Sequence, residues 1–147
     1  MNKSYGIESD INLKLWVVSN RFTLGIHREL LKTFKKYGLS TSQFAVLEVL
    51  YHKGDMTVGE IIDKILISGG NITLVIKNLE QKNFLTIHPD CDDGRKRVIS
   101  ITDEGKEIVS KAFLEHLEVL NNLLEVFDNE EKECLIKLLK HGYEYRR

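Results

Sequence analysis

The stretch Asp90-Cys91-Asp92-Asp93-Gly94-Arg95-Lys96-Arg97-Val98-Ile99-Ser100-Ile101-Thr102 sets an Asp-Gly pair and three consecutive basic residues ahead of a short apolar run. Two-residue hairpin turns require positive φ at their central positions, which Asp and Gly tolerate, so Asp93-Gly94 predicts a β-hairpin. Upstream, Phe84-Leu85-Thr86-Ile87-His88 alternates apolar and polar residues; downstream, Arg97, Ile99 and Ile101 share one face and Val98 and Ser100 the other. Both runs have the period of half-buried strands. Arg95, Lys96 and Arg97 therefore fall at a protruding tip, the pattern of a wing that reads DNA. A solvated hairpin that merely carries charge has the same local signature, and the sequence upstream separates the two.

Working back from the hairpin, Ile72, Val75, Ile76 and Leu79 recur at i, i+3, i+4 and i+7, one face of an amphipathic helix. Ser68 can cap its amino end. Its front, Gly69, Gly70, Asn71, Thr73, Leu74 and Lys77, is small and hydrogen-bonding, able to approach base edges. Asn83 stands where this helix must stop, and Asn tolerates the left-handed conformation of a carboxyl-terminal cap almost as glycine does. Thr57-Val58-Gly59-Glu60 has the form of a capping box and predicts a short preceding helix packed through Ile61, Ile62, Ile65 and Leu66. A second box, Ser40-Thr41-Ser42-Gln43, opens a helix with the apolar stripe Phe44, Leu47, Leu50 and Tyr51, ended by the breaker His52-Lys53-Gly54-Asp55. Three short helices followed by a hairpin make a winged helix-turn-helix.

The 147 residues, 42% of them hydrophobic and only one a proline, suit one compact unit with a real core. No Gly, Ser or Pro linker divides it, and neither an internal repeat nor a low-complexity tract is present. With no basic-then-apolar leader and no apolar run approaching roughly 18 residues, the expected compartment is the cytoplasm. Cys91 and Cys134 lie far apart and predict no disulfide framework; Cys91 is flanked by acids that oppose thiolate formation, and Cys134 beside Leu135 reads as a buried small hydrophobe. The five histidines show no metal-ligand spacing, so neither a metal nor a cofactor is expected.

A net charge of −1 looks wrong for a DNA binder until the charge is mapped along the chain. Acids crowd the carboxyl-terminal third, from Asp103 and Glu104 through Glu118 to Glu133. Bases such as Arg28, Lys32, Lys35, Lys36, Lys53, Lys64, Lys77 and Lys82 join the wing cluster in the middle. The cationic face is modest, so nonspecific affinity should be weak and strongly salt-dependent.

Two long helical blocks flank this unit. From Ser9 to Phe34, Ile11, Leu15, Val18, Phe22, Ile26, Leu30 and Phe34 advance by three or four residues, and beyond Thr102, a plausible cap, the spacing continues through Val109, Phe113, Leu117, Leu120, Leu124 and Phe127. A last helix opens at Asp128-Asn129-Glu130-Glu131 and is expected to bury Leu135, Leu138 and Leu139. Part of each stripe is ordinary core. The surplus predicts a homodimer joined through the first and last helices.

The chain resembles the MarR family of bacterial transcription regulators over essentially its whole length. The likeness rests on Leu39-x-x-x-Gln43-x-x-Val46-Leu47, Leu79-Glu80, the Asp93-x-Arg95 wing and Ile101-Thr102-x-x-Gly105. It departs from the family pattern at Gly94, where the family often has Arg, and at Asn83, where it often has Gly. The resemblance implies a mainly α fold with a small β-hairpin wing, in which a DNA-binding lobe at 38–102 sits between dimerisation helices at 1–37 and 103–147, all one domain. It also implies a homodimer on a palindromic operator, with recognition helices in successive major grooves and wing arginines in the minor grooves. The expected DNA-binding residues are Ser68, Asn71, Thr73, Leu74, Lys77, Asp93, Arg95, Lys96 and Arg97, Asp93 orienting Arg95 in the minor groove. Members often answer to phenolic or other lipophilic molecules in a cleft between the dimerisation helices and the lobe, and repression released by such an effector is the function implied here. Trp16, Phe22, Ile26, Phe44, Tyr51, Phe113 and His116 are the candidate cleft residues, with plain core as the alternative.

Other classes of function leave different marks. An enzyme would need a phosphate loop, a nucleophile elbow or a carboxylate pair, and none is present; Gly69-Gly70 lies within the helix-turn-helix rather than after a strand. A winged helix that binds only protein has no need of Arg95-Lys96-Arg97, whereas a wing entering the negative minor groove needs cations.

Overall fold

The computed structural model describes residues 3–65, 72–90, 93 and 96–144, the side chain of Tyr143 excepted. Its elements run α1 (Ile7–Lys36), α2 (Thr41–Lys53), β1 (Met56–Thr57), α3 (Val58–Lys64), α4 (Ile72–Gln81), β2 (Leu85–Pro89), β3 (Arg97–Ile101), α5 (Asp103–Leu124) and α6 (Asn129–Glu144). The fold is mainly α with a small sheet, a winged helix between long helices. No described helix is long and apolar enough to cross a membrane.

Local chemistry sets the boundaries. Ser40 and Gln43, and Thr57 and Glu60, form the two reciprocal capping boxes that open α2 and α3. Asp128 and Glu131 make a third, with bonds of 2.8 and 3.0 Å between each side chain and the other's amide. Helix α1 ends on Gly38 at φ 65°, where Gly38 N bonds Lys35 O and Leu39 N bonds Phe34 O, the paired bonds of a Schellman cap. Helix α4 ends the same way: Asn83 takes φ 58°, its amide reaches Glu80 O, and the Phe84 amide reaches Leu79 O. Asn83 thus fills a position that usually requires glycine.

The sheet has the order β1-β3-β2, all antiparallel. Strand β1, absent from the sequence reading, pairs Met56 with Ile99 and Thr57 with Val98, so the residues just ahead of α3 form one edge of the wing. The hairpin register pairs Leu85 with Ile101 and Pro89 with Arg97. The expected two-residue Asp93-Gly94 connection is therefore corrected: the strands are joined by residues 90–96. Within that loop Asp93 N donates to Asp90 Oδ1 at 2.8 Å, and Lys96 N closes a turn onto Asp93 O, also at 2.8 Å.

The core gathers around α2. Phe44, Val46, Leu47 and Leu50 are buried with Ile61, Ile72, Ile76, Leu79, Leu85, Ile99 and Val109. Three expectations fail at its edge. Ile62 is 51% exposed because it follows Ile61 around a seven-residue helix and points away from α2. Leu135, Leu138 and Leu139, expected to be buried, are exposed on α6, and Cys134 beside them is exposed too. Tyr51 stands half out of its stripe, its ring edge-on to His52. Leu66 lies outside the described residues.

Helix α5 begins against the end of α4. Thr102 accepts from Gly105 N as the helix cap and its own amide bonds Phe84 O at 3.1 Å. A methyl group on Gly105 would sit 2.0 Å from that carbonyl oxygen and 2.8 Å from Ile101 Cγ1. Although alanine is the better helix former, Gly105→Ala should lower unfolding free energy by about 3 kcal/mol through overpacking against backbone that cannot retreat. Denaturant titration measures it, and a midpoint equal to that of the parent would show that α5 can slide away from Phe84 at little cost.

Candidate nucleic-acid interface

Helix α4 is strongly amphipathic. Ile72, Ile76 and Leu79 are buried, and Thr73, Leu74, Lys77 and Glu80 are exposed on the opposite side. Leu74, between the Thr73 hydroxyl and the Lys77 ammonium on this face, is 51% exposed. Ser68 and Asn71 lie outside the described residues, as do Gly94 and Arg95.

Lys96 and Arg97 are exposed at the start of β3, and both line a cleft of about 470 Å³ with Thr57, Val58, Gly59 and Glu60 of the β1–α3 junction. Glu60 is held below the usual carboxylate range mainly by the Thr57 amide and hydroxyl, with Lys96 and Lys64 adding smaller attraction. The base of the wing therefore leans on the first turn of α3. The sequence signal for this is the pair Met56-Thr57, whose β-branched threonine stands at the head of a capping box. His88 spans the hairpin, one ring nitrogen 2.8 Å from Ser100 Oγ and the other 3.1 Å from Pro89 O.

Of the candidate cleft residues, three converge. His116 on α5 stacks on Phe34 at 5.7 Å and lies 5.2 Å from Phe44 and 6.0 Å from Phe113, ring centre to ring centre. Phe113 continues the seam to His52 at 4.7 Å, and His52 meets Tyr51. Ile26 is half-buried, whereas Trp16 is 68% exposed and Phe22 packs edge-on against Phe127. Trp16 is separated from Phe34 by about 27 Å of helix rise. A different hollow, about 380 Å³ between α2 and α3, is lined by Ala45, Glu48, Val49, His52, Lys53, Lys64 and Ile65. Burial there pushes the Glu48 carboxyl up, with His52 opposing.

Next to His116 on α5, Glu115 accepts from both Lys36 and Tyr37, the tyrosine at 3.0 Å. The Lys36 ammonium is the main cause holding Glu115 below the usual carboxylate range, and burial is the main cause pushing Tyr37 up. The pair joins α1 to α5 at a solvent-exposed edge, where such ion pairs add little stability.

Residues 29–112 match the family model of the SarA/Rot transcriptional regulators. Over 129 residues the chain is 37% identical to the HTH-type transcriptional regulator MhqR of Bacillus subtilis, covering 88% of this chain and 89% of that protein. Among solved structures, a cysteine variant of MarR from E. coli in complex with operator DNA superposes with a TM-score of 0.80 at 19% identity, over 93% of this chain and 99% of that one. BpsR of Bordetella bronchiseptica, whose DNA binding is regulated by 6-hydroxynicotinic acid, superposes with a TM-score of 0.78 at 18% identity, over 88% of this chain and 98% of that one.

His116 Nδ1 is buried without a hydrogen-bond partner among the described residues, and burial holds its pKa below the usual histidine range. The unfolded chain takes up this proton below about pH 6.5 while the folded chain resists it, so folding stability is lost as pH falls from there toward the depressed value. His116→Phe should flatten that part of the stability profile. Melting temperatures of parent and variant from pH 7.5 down to 5 test it; parallel profiles would mean His116 is protonated at no cost in the fold.

Proposed function

Since the chain belongs to the MarR family of winged helix-turn-helix transcription regulators, we propose that it binds double-stranded DNA sequence-specifically in the cytoplasm, as a homodimer on a palindromic operator, and represses until a small molecule releases it. The observation that carries this reading is the solvent face of α4, where Thr73, Leu74 and Lys77 are offered by a helix whose other side is locked into the core. Thr73 suits base edges or phosphates near the helix amino end, Leu74 a thymine methyl, and Lys77, a turn further on, a phosphate. Ser68 and Asn71 extend this front, Arg95 enters the minor groove with Asp93 as its orienting partner, and Lys96 and Arg97 meet the adjacent backbone.

On this reading residues 38–102 are the DNA-binding lobe and 1–37 and 103–147 the dimerisation helices. Support comes from the apolar surface left on the long helices: Ile11, Leu15, Trp16 and Val18 on α1 and Leu135, Ile136, Leu138 and Leu139 on α6 are all exposed in the single chain. So large an apolar area is expected to be covered by a second copy. The effector is of lipophilic or phenolic character, and Phe44, Phe113 and His116, with Trp16, Phe22, Ile26 and Tyr51, are the residues proposed to receive it. The small-molecule control of BpsR supports this half of the proposal.

Selection of genomic fragments by the purified protein tests the central reading: a recurrent inverted repeat is expected, and recovery of random fragments would leave the winged helix as a module for protein contact. Sedimentation equilibrium should give twice the chain mass at micromolar concentration, and a folded monomer there would remove the two-fold binding geometry. On the selected site, Lys77→Ala should weaken all sequences alike and reduce the salt slope by about one unit, while Arg95→Ala should cost about 1 to 3 kcal/mol per half-site. An isotherm unaltered by Arg95→Ala, at salt where the parent is specific, would sink the wing assignment.

A further inference from the structure

We infer that the carboxyl end of α4 is held by a two-point latch, Thr102 tying it to α5 and Lys82 tying it to α1, and that this latch sets how far apart the two recognition helices stand on DNA. The inference rests on the DNA-binding dimer proposed above. The Thr102 hydroxyl has two partners: it accepts from Gly105 N at 3.0 Å and donates to Asn83 O at 2.6 Å. The first bond is ordinary helix capping. The second reaches back nineteen residues to the left-handed residue that closes α4. On the other side, Lys82 Nζ donates to Gly38 O at 2.9 Å, in the turn that ends α1.

Helix α4 is short, ten residues, and rests on the core through Ile72, Ile76 and Leu79. Apolar contact holds it down but resists sliding poorly, because burial is non-directional. Hydrogen bonds at its end are directional, and these two run to the two long helices on which the dimer is proposed to depend. A half-site pair about 34 Å apart is read only if each α4 keeps its place relative to those helices. Lys82 and Thr102 are thus positioning residues, which need not touch DNA.

The substitutions separate positioning from capping and from charge. Thr102→Asp keeps a good cap but has no proton to give, and it sets a carboxylate oxygen against Asn83 O. Thr102→Ser keeps both bonds. Lys82→Met removes the donor and keeps the stem, while Lys82→Arg keeps charge and donor. Full-length protein is measured three ways: thermal melting, hydrogen exchange at the Asn83 and Phe84 amides, and binding to the selected operator and to a copy with its half-sites one base pair further apart.

Thr102→Asp should melt with the parent, exchange about tenfold faster at Asn83 and Phe84, and bind the operator about tenfold more weakly while preferring the native spacing less. Lys82→Met should move in the same direction, and Thr102→Ser and Lys82→Arg should match the parent. Parental exchange rates in both Thr102→Asp and Lys82→Met would overturn the latch. Faster exchange with an unchanged preference for spacing would overturn its role in DNA reading. If Thr102→Asp melts early, Lys82→Met against Lys82→Arg decides, since neither touches the α5 cap. Failure of the parent to select any operator would count against the DNA reading itself, and the exchange rates would still decide whether the latch exists.

Discussion

The carbonyl oxygen of Phe84 is the point around which the fold is arranged. It follows directly on the left-handed Asn83 that closes α4, accepts the Thr102 amide at 3.1 Å, and lies where any side chain at position 105 would collide with it. Three elements converge there: the end of the helix with the candidate reading face, strand β2 of the wing, and the start of the longest helix after α1. Close approach of backbone to backbone permits hydrogen bonds that side chains would hold apart, and glycine is the residue that permits it. The geometry of the candidate interface therefore follows from a contact that contributes nothing to its surface chemistry.

Away from that junction the molecule divides its apolar residues unevenly. The lobe around α2 is closed, with Val46, Leu47, Ile61, Leu79 and Ile99 essentially inaccessible. The amino-terminal half of α1 and the length of α6 are open, with Leu15, Trp16, Leu138 and Leu139 exposed. A stripe at helical spacing states only that something apolar must face it. Whether that partner is the same chain or a second copy depends on reach, and among the described residues Leu138 and Leu139 of α6 stay exposed. The same uncovered helix leaves Cys134 exposed.

Between the closed and open parts lies the ring seam from Phe34 through His116 and Phe113 to His52. It joins α1, α5 and α2 through flat surfaces, and places an imidazole where its charged form is disfavoured.

Much of this was legible residue by residue. Each capping box appears where its Ser/Thr-x-x-Gln/Glu pattern stands, and Asn83 and Thr102 take the cap positions their types favour, because capping is settled within four residues. Helical spacing likewise identified the face of α4 that carries Thr73, Leu74 and Lys77, since a single period orders the whole helix. What needed the tertiary structure were the relations between distant segments. That Met56-Thr57 would pair with Ile99 and Val98, that the strands of the hairpin would end at Pro89 and begin again at Arg97, that Leu138 would stay exposed among the described residues, and that Lys82 would reach Gly38 are all decided by where elements come to rest. Local sequence specifies which groups need partners; only the packed chain decides which partners lie within reach.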